Sequence, residues 1–401
     1  MPKRICVINA ALTHTIPRTK VLQPYCDHID YIDVTGQVLP EEVETEKITC
    51  HRLSPGNLFH QYRTLKKMFS DLKPDYIIHH FISGNLLGPV LQAAPCPVIG
   101  IAMGGDVFAD LGRLRRWRDR RCWRQMNLIS AKSTRLRDRL REESVTAPMI
   151  VNYWGCHAPA ASGLPERNAL RRELGIPTDC RLLLSMRGIS ERYNIQCVVA
   201  AFRLLVERES GNEKPWRLLL SGRTCASYRH YREEIEKQIR ELGLSDRVTI
   251  RYDLPQPEML RYLRAADVTV HLADTEGMPN SMFECWAMGV PTVLRDIPEL
   301  HEELEAGELV RDGENAYLCR FTPEAVAEKL EIAVLPSKRE RLRENAFADF
   351  NRYANIEKNA ARFINAIAAL PPEAKPHWSR HFNLLCSIMQ KLLPDHSKKT
   401  Q

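Results

Sequence analysis

No stretch of this 401-residue chain reaches the ~20 consecutive apolar residues that cross a bilayer. The opening "MPKRICVINA" runs straight into a strand-like segment, which does not read as a secretory leader. There is no CxxC pair. The twelve cysteines are scattered, which argues against a zinc ribbon or a disulfide framework and reads as reduced thiols in a cytosolic protein. Internal repeats and low-complexity tracts are also missing, so nothing competes with an ordinary globular reading. No recognisable nucleic-acid module surrounds the basic residues, which makes nucleic acid the least expected partner.

What is there is enough chain for about two domains of roughly 100–200 residues, each able to bury a core. The net charge of +7 is modest but unevenly spread. "RLRRWRDRRCWR", residues 113–124, carries seven arginines against the single Asp119, and "KSTRLRDRLR" continues the run to Arg141. Such clusters either form a solvated helix face or attract phosphate and anionic lipid, with Trp117 and Trp123 suited to a headgroup surface.

Short apolar runs alternate with amphipathic stretches along the whole chain. Expected strands are 4–8, 76–80, 97–102 and 127–131 in the first half, then 181–186, 216–221, 247–251, 267–272 and 291–294. Near-continuous apolar strands separated by helices imply parallel sheets covered on both faces, twice over. "GCHAPAASGLPERN", residues 155–168, is the expected boundary. In doubly wound sheets ligands lie beyond the carboxyl ends of the strands, so residues just after strands are the candidate site.

The most informative stretch is "DTEGMPNSMFECWAMGVPTV", residues 274–293. Gly277 permits close backbone approach, Pro279 fits a first helical turn and Gly289 fits the helix end. The free amides of that helix start form an anion site, with Asn280 and Glu284 on one face. A nucleotide sugar fits this pattern: diphosphate on the helix N-terminus, ribose hydroxyls on Glu284, and the sugar ring on Glu276. The plainer alternative is a capping box, with Ser281 as cap and Glu284 three residues on.

"EGMPNSMFECWAMGVPTV" closely resembles the E-x7-E signature of retaining GT-B glycosyltransferases of family GT4, with Cys285 and Trp286 in place of the usual Ala-Met. "LLLSMRGISERYNI" resembles the family's "GRLxxxKG" element, aligning Arg187 and placing Arg192 where lysine is usual and Tyr193 where glycine is usual. "PWRLLLSGRT" supplies the matching turn glycine, Gly222. In the first half, "KPDYIIHHF" and "PVIGIAMGGDVFAD" resemble "PDVIHAH" and "PVVxTxHGxDxF", bringing forward His79, His80 and Asp106, with Met103 in place of the motif's histidine. The first loop, "NAALTHTIPRTK", lacks the paired glycines of many relatives. It offers the small residues Asn9, Ala10 and Ala11, with His14 and Arg18 as acceptor contacts.

The resemblance implies an α/β chain of GT-B type, two Rossmann-like doubly wound domains facing an interdomain cleft. The expected divisions are an acceptor-side domain over 1–157, a nucleotide-sugar domain over 158–350, and helices over 351–401 returning to the first domain. It implies transfer of a hexose from a nucleotide-diphosphate sugar to an acceptor hydroxyl with retention, without a metal or other cofactor, in bacterial surface glycan assembly. The implied catalytic residues are Glu276, Arg187 and Arg192. Donor contacts are Gly222, Gly277, Met278, Pro279, Asn280, Ser281 and Glu284; acceptor-side residues are Asn9, Ala10, His80, Gly104, Gly105 and Asp106. Implied partners are the donor and a glycan or lipid-linked acceptor, with peripheral contact at the inner membrane face. The alternatives are a GT-B epimerase or phosphorylase, and a non-catalytic nucleotide-sugar-binding or scaffold subunit. Beyond Pro371, Trp378, Phe382, Leu385 and Met389 recur at helical spacing.

Overall fold

A computed structural model of the protein describes residues 4–9, 12–54, 56–108, 112–158, 165–211, 214–222, 226–276, 278–304, 307–371 and 376. The helical pattern from Trp378 to Met389, Ala10, Gly277 and the side chain of His14 lie outside the described residues. The chain forms two units, Met1–Trp154 with Ile356–Gln401, and Gly155–Asn355. Against the expected divisions at 157/158 and 350/351, the chain thus changes unit after Trp154 and again after Asn355.

The first unit is built on seven strands: β1 (Arg4–Asn9), β2 (His28–Asp33), β3 (Ile48–Arg52), β4 (Tyr76–His80), β5 (Val98–Ala102), β6 (Leu128–Ala131) and β7 (Met149–Val151). They pair in parallel in the order β3-β2-β1-β4-β5-β6-β7. The order reverses between β1 and β4, the topological switch point of a doubly wound sheet. β4 and β5 are buried at every position, as strands covered on both faces must be, so the histidines that end β4, His79 and His80, are buried with the apolar residues. β2 escaped the sequence reading because acids interrupt its apolar run. Asp30 is wholly buried there, taking Arg4 at 2.6 Å and His51 at 2.9 Å. Burial alone would raise its carboxyl, but His51 and Arg4 hold it below the usual range.

The Ile356–Ala368 helix completes this unit. Ile356, Phe363, Ile364 and Ile367 pack in one core with Ile5, Val7, Ile78, Ile99 and Trp154. Phe363 lies 4.9 Å from the Trp154 ring, and Asn359 joins the two segments by hydrogen bonds with Asn152 (3.2 Å) and Trp154 (3.1 Å).

The second unit holds β8 (Arg181–Ser185), β9 (Trp216–Gly222), β10 (Val248–Tyr252), β11 (Val268–His271) and β12 (Thr292–Arg295). A two-residue ribbon follows, β13 (Glu303–Leu304) with β14 (Gly307–Glu308), and then β15 (Tyr317–Cys319). The sheet is parallel in the order β10-β9-β8-β11-β12-β15, so the reversal falls between β8 and β11. Asp267, just before β11, takes Arg167, Arg171 at 2.6 Å and the Leu182 amide at 2.7 Å. Burial would raise its carboxyl; the arginines and that amide hold it low. Arg171 is 3% exposed and also donates to the carbonyls of Ala265 and Cys180, so this lock ties the Arg167–Glu173 helix to the sheet.

The Gly155 backbone is in the left-handed region (φ +78°), and a Cβ there would lie 1.8 Å from the Ala354 carbonyl oxygen. Only glycine fits. The next residue, Cys156, donates its amide to the same carbonyl at 3.1 Å.

The arginine-rich run forms the Arg113–Trp123 helix. One expectation here is corrected. Trp123 is fully buried, with its indole donating to the Ile82 carbonyl, because it faces the core rather than water, so it cannot reach a headgroup surface. Trp117 is half-buried and stacked 4.7 Å from Arg121. A pocket of about 490 Å³ lies between Phe108 and this helix, bordered by Arg113, Arg116, Arg120 and Arg139. Among the described residues no helix is long and apolar enough to cross a membrane.

Candidate functional site

In the second unit the segments leaving β8 and β11 meet at the switch point. Arg187, two residues beyond β8, is the centre. It makes an ion pair with Glu276 at 2.6 Å and donates to the Ser281 hydroxyl at 2.8 Å. Ser281 lies in the first turn of the Asn280–Met288 helix, so one guanidinium holds both the loop after β11 and the helix that follows it. Arg187 and Glu276 are mostly buried, their side chains 15% and 10% exposed, so their charges meet in a setting less screened than water.

The helix start is capped by Pro279, which offers no side-chain acceptor. The capping-box alternative therefore does not form: Ser281 lies inside the first turn and is engaged by Arg187, leaving Glu284 one turn further on. The carboxamide oxygen of Asn280 is buried without a hydrogen-bond partner. Glu284 is half-buried and accepts from Gln256 at 2.9 Å. Burial pushes its carboxyl upward, opposed by the Gln256 hydrogen bond and the charge of Arg187. Glu276, Ser281 and Glu284 thus all feel one cation.

Of the other expected site residues, Arg192 is exposed, while Gly222 and Met278 are buried. Arg192 donates to the Thr275 carbonyl at 3.0 Å, which keeps it beside the Glu276 loop. Met278 has left-handed backbone (φ 57°) and is buried, 1% exposed, so its side chain serves the packing beneath the loop. At Gly222 a Cβ would come within 2.6 Å of the Tyr252 ring, so packing already requires the glycine. Cys285 and Trp286, the departures from the family pattern, are both fully buried, and Cys285 accepts from Thr269 at 3.3 Å.

Three residues here were not expected from sequence to act at the site, Tyr193 having been noted only as a departure from the family's glycine. Tyr193 offers its ring face to Arg187 at 4.3 Å and to Arg192 at 6.0 Å, a cation–π seat where the family's glycine offers none. Gln256 binds Glu284 from a separate helix. His271 ends β11 fully enclosed, with neither ring nitrogen hydrogen-bonded. Burial, reinforced by Arg187, depresses its pKa to about 3, so it is neutral. Gln256 and His271 matter through neighbours distant in sequence, which local pattern could not flag, whereas Tyr193 meets arginines of its own segment.

In the first unit, Asn9, His80 and the Gly104–Gly105 turn lie at or just beyond the ends of β1, β4 and β5. Asn9 and His80 are buried, and Gly104 has φ +113°. Asp106 is fully buried. It accepts from the amides of Ile82 (2.8 Å), Met103 (3.0 Å) and Gly104 (2.8 Å), joining the ends of β4 and β5. Its carboxylate therefore shapes this turn and is itself enclosed. His79 is also enclosed, both ring nitrogens lacking partners, and burial lowers its pKa to about 4.

Comparison with known proteins agrees with this architecture. The family model for "Glycosyl transferases group 1" matches residues 166–349. The D-inositol 3-phosphate glycosyltransferase of Thermomonospora curvata is 30% identical over 210 residues, 50% of this chain and 47% of that protein. The amylovoran biosynthesis glycosyltransferase AmsK of Erwinia amylovora is 28% identical over 165 residues, 39% of this chain and 37% of that protein. The chain thus spans about half or less of the length of the curated relatives it matches. Anabaena HepE, solved in complex with UDP and glucose, superposes with a TM-score of 0.72 at 15% identity, covering 92% of this chain and 100% of that one. The glycosyl transferases group 1 match thus falls within the second unit, and the two Rossmann-like units share the GT-B fold of the solved neighbours.

Proposed function

We propose that this protein is a retaining hexosyltransferase whose second unit binds a nucleotide-diphosphate sugar. The carrying observation is the junction at Arg187, which joins Glu276 to the first turn of the Asn280–Met288 helix while Glu284 stands on the same helix. The diphosphate lies on the helix amides and between Arg187 and Arg192, displacing Glu276 from its ion pair so that the carboxylate turns to the sugar hydroxyls. Glu284, held by Gln256, accepts from the ribose hydroxyls. Relatives act on sugars by name, and the structure of HepE was solved with UDP and glucose, which supports this donor class.

In the reaction the acceptor hydroxyl attacks the anomeric carbon from the face of the leaving group. The bond from the anomeric carbon to the diphosphate oxygen breaks, the new glycosidic bond forms, and the hydroxyl proton passes to the leaving phosphate. The protein contributes position and cationic stabilisation of the growing phosphate charge. With guanidinium groups in that role, the reaction needs no metal, and EDTA leaves the rate unchanged. The test is incubation with UDP-glucose, GDP-mannose or ADP-glucose and a crude glycan acceptor. Release of nucleoside diphosphate with an axial-to-axial NMR outcome at the anomeric carbon supports the reading; no release from any donor, or inversion, defeats it.

The likeness to an amylovoran biosynthesis glycosyltransferase supports a place in bacterial surface glycan assembly, and the location we propose for it is the cytoplasmic face of the inner membrane. The Arg113–Trp123 helix, with exposed Leu114 beside the arginines and exposed Phe108 across the pocket, is the peripheral lipid contact. Vesicle flotation tests it: binding no stronger to anionic than to neutral vesicles removes this part.

A further inference from the structure

Arg18 is the strangest charge in the molecule. It lies in the Leu12–Lys20 helix that follows β1, and it is 2% exposed. Buried guanidinium groups are ordinarily held by carboxylates, because taking such a charge from water is costly unless it is paired. Arg18 has no such partner among the described residues. Its Nη1 donates to the thioether of Met103, a weak acceptor, and its carbon centre lies 5.4 Å from the Trp154 ring. Its Nη2 is buried with no acceptor at all. The indole Nε1 of Trp154 is a second buried donor with none. Two adjacent residues therefore present unanswered N–H groups and no acid answers them. Burial is the sole influence on the Arg18 pKa, which falls to about 9 and leaves the group charged at neutral pH.

Position gives this deficit a meaning. Met103 directly follows β5, and the Arg18 helix follows β1. β1, β4 and β5 are neighbours in the sheet, with the order reversing between β1 and β4. The guanidinium thus belongs to the carboxyl end of the first sheet at its switch point, where doubly wound sheets receive ligands. A planar fork of donors suits a phosphate or carboxylate better than a neutral hydroxyl.

We propose that Arg18 is the anchor of an oxyanion site in the first unit, which takes a phosphate or carboxylate group carried by the acceptor. Anion binding by this unit stands by itself; its assignment to the acceptor rests on the transferase reading above.

The test compares the wild-type protein with Arg18→Met, a side chain of similar length without charge. Both are melted in anion-poor buffer and across titrations of inorganic phosphate and, separately, sodium acetate, with ionic strength balanced by chloride. A bound anion stabilises the native state by mass action, so the wild type gains a saturable rise in Tm with one or both anions. Arg18→Met loses that saturable part and keeps only the general salt effect, while its UDP affinity stays within twofold of wild type. A phosphate response assigns a phosphomonoester class and an acetate response a carboxylate class. Identical titrations in the two proteins, or loss of UDP binding in the variant, overturn the proposal. Arg18→Lys is the second variant, in case Met prevents folding. It keeps the charge but loses the fork, and weakens anion binding at least threefold. UDP binding without an anion response defeats only this site, and an anion response without UDP binding defeats only the transferase reading.

Discussion

At the scale of single residues, the chemistry turns on how Arg187 is held. Its guanidinium reaches Glu276 and Ser281 while the Tyr193 ring lies against it. Arg187→Lys keeps the charge but cannot span both partners, and kcat/KM for the donor, followed by nucleoside diphosphate release, falls by about 10²–10³-fold. Tyr193→Leu removes a cation–π contact of about 0.5–1 kcal/mol, so the fall is only about three- to fivefold, with Tyr193→Phe close to wild type. The enclosed histidines govern acid stability. His79 and His271 have native pKa values near 4 and 3, below the ordinary value of 6.5, so the unfolded chain takes up their protons first. The stability they contribute is whole above pH 6.5 and is lost as pH falls, at up to about 1.4 kcal/mol per pH unit for each. Urea unfolding from pH 7 to 5 checks this, and His79→Leu flattens the slope for the first unit. Glu276, Ser281 and Glu284 were legible because one turn and the helix after it carry all three, and Arg187 because its segment resembles a family motif. Gln256 and His271 were not, since their roles depend on which other segment the fold brings to them, and Tyr193 was visible only as a departure from the family's glycine, not as a cation–π partner.

Among the elements, the parallel strands with a near-continuous apolar run, such as β5 and β8, were readable because burial on both faces favours apolar side chains. β2 and β3 were missed for the opposite reason: their acids, arginine and histidines pair with one another across the strands, as Asp30 does with His51. The Asp267 lock has the same character. Asp267→Ala strands the buried Arg171 and lowers the stability of the second unit by about 3–5 kcal/mol, read from its denaturant midpoint. Asp106 shows how a motif residue can be correctly located and differently employed. Its match to the family aspartate was visible in sequence, but only the structure reveals three backbone amides occupying its carboxylate.

For the whole molecule, the division into two doubly wound units followed from alternation of apolar strands and amphipathic helices, while the second change of unit, after Asn355, carries no local composition signal. Phe363→Ala removes a ring from the first unit's core. It lowers that unit's transition by about 3–5 kcal/mol and leaves UDP binding by the second unit unchanged, which separate calorimetric transitions can resolve. The interrupted first unit also bears on biosynthesis. Strands made earliest wait for a helix translated some two hundred residues later before Trp154 gains its Phe363 neighbour, whereas the intervening unit is complete within one continuous segment. On the ribosome the part begun second is the part able to finish first, and the nascent N-terminal sheet is the species a chaperone would have to shelter.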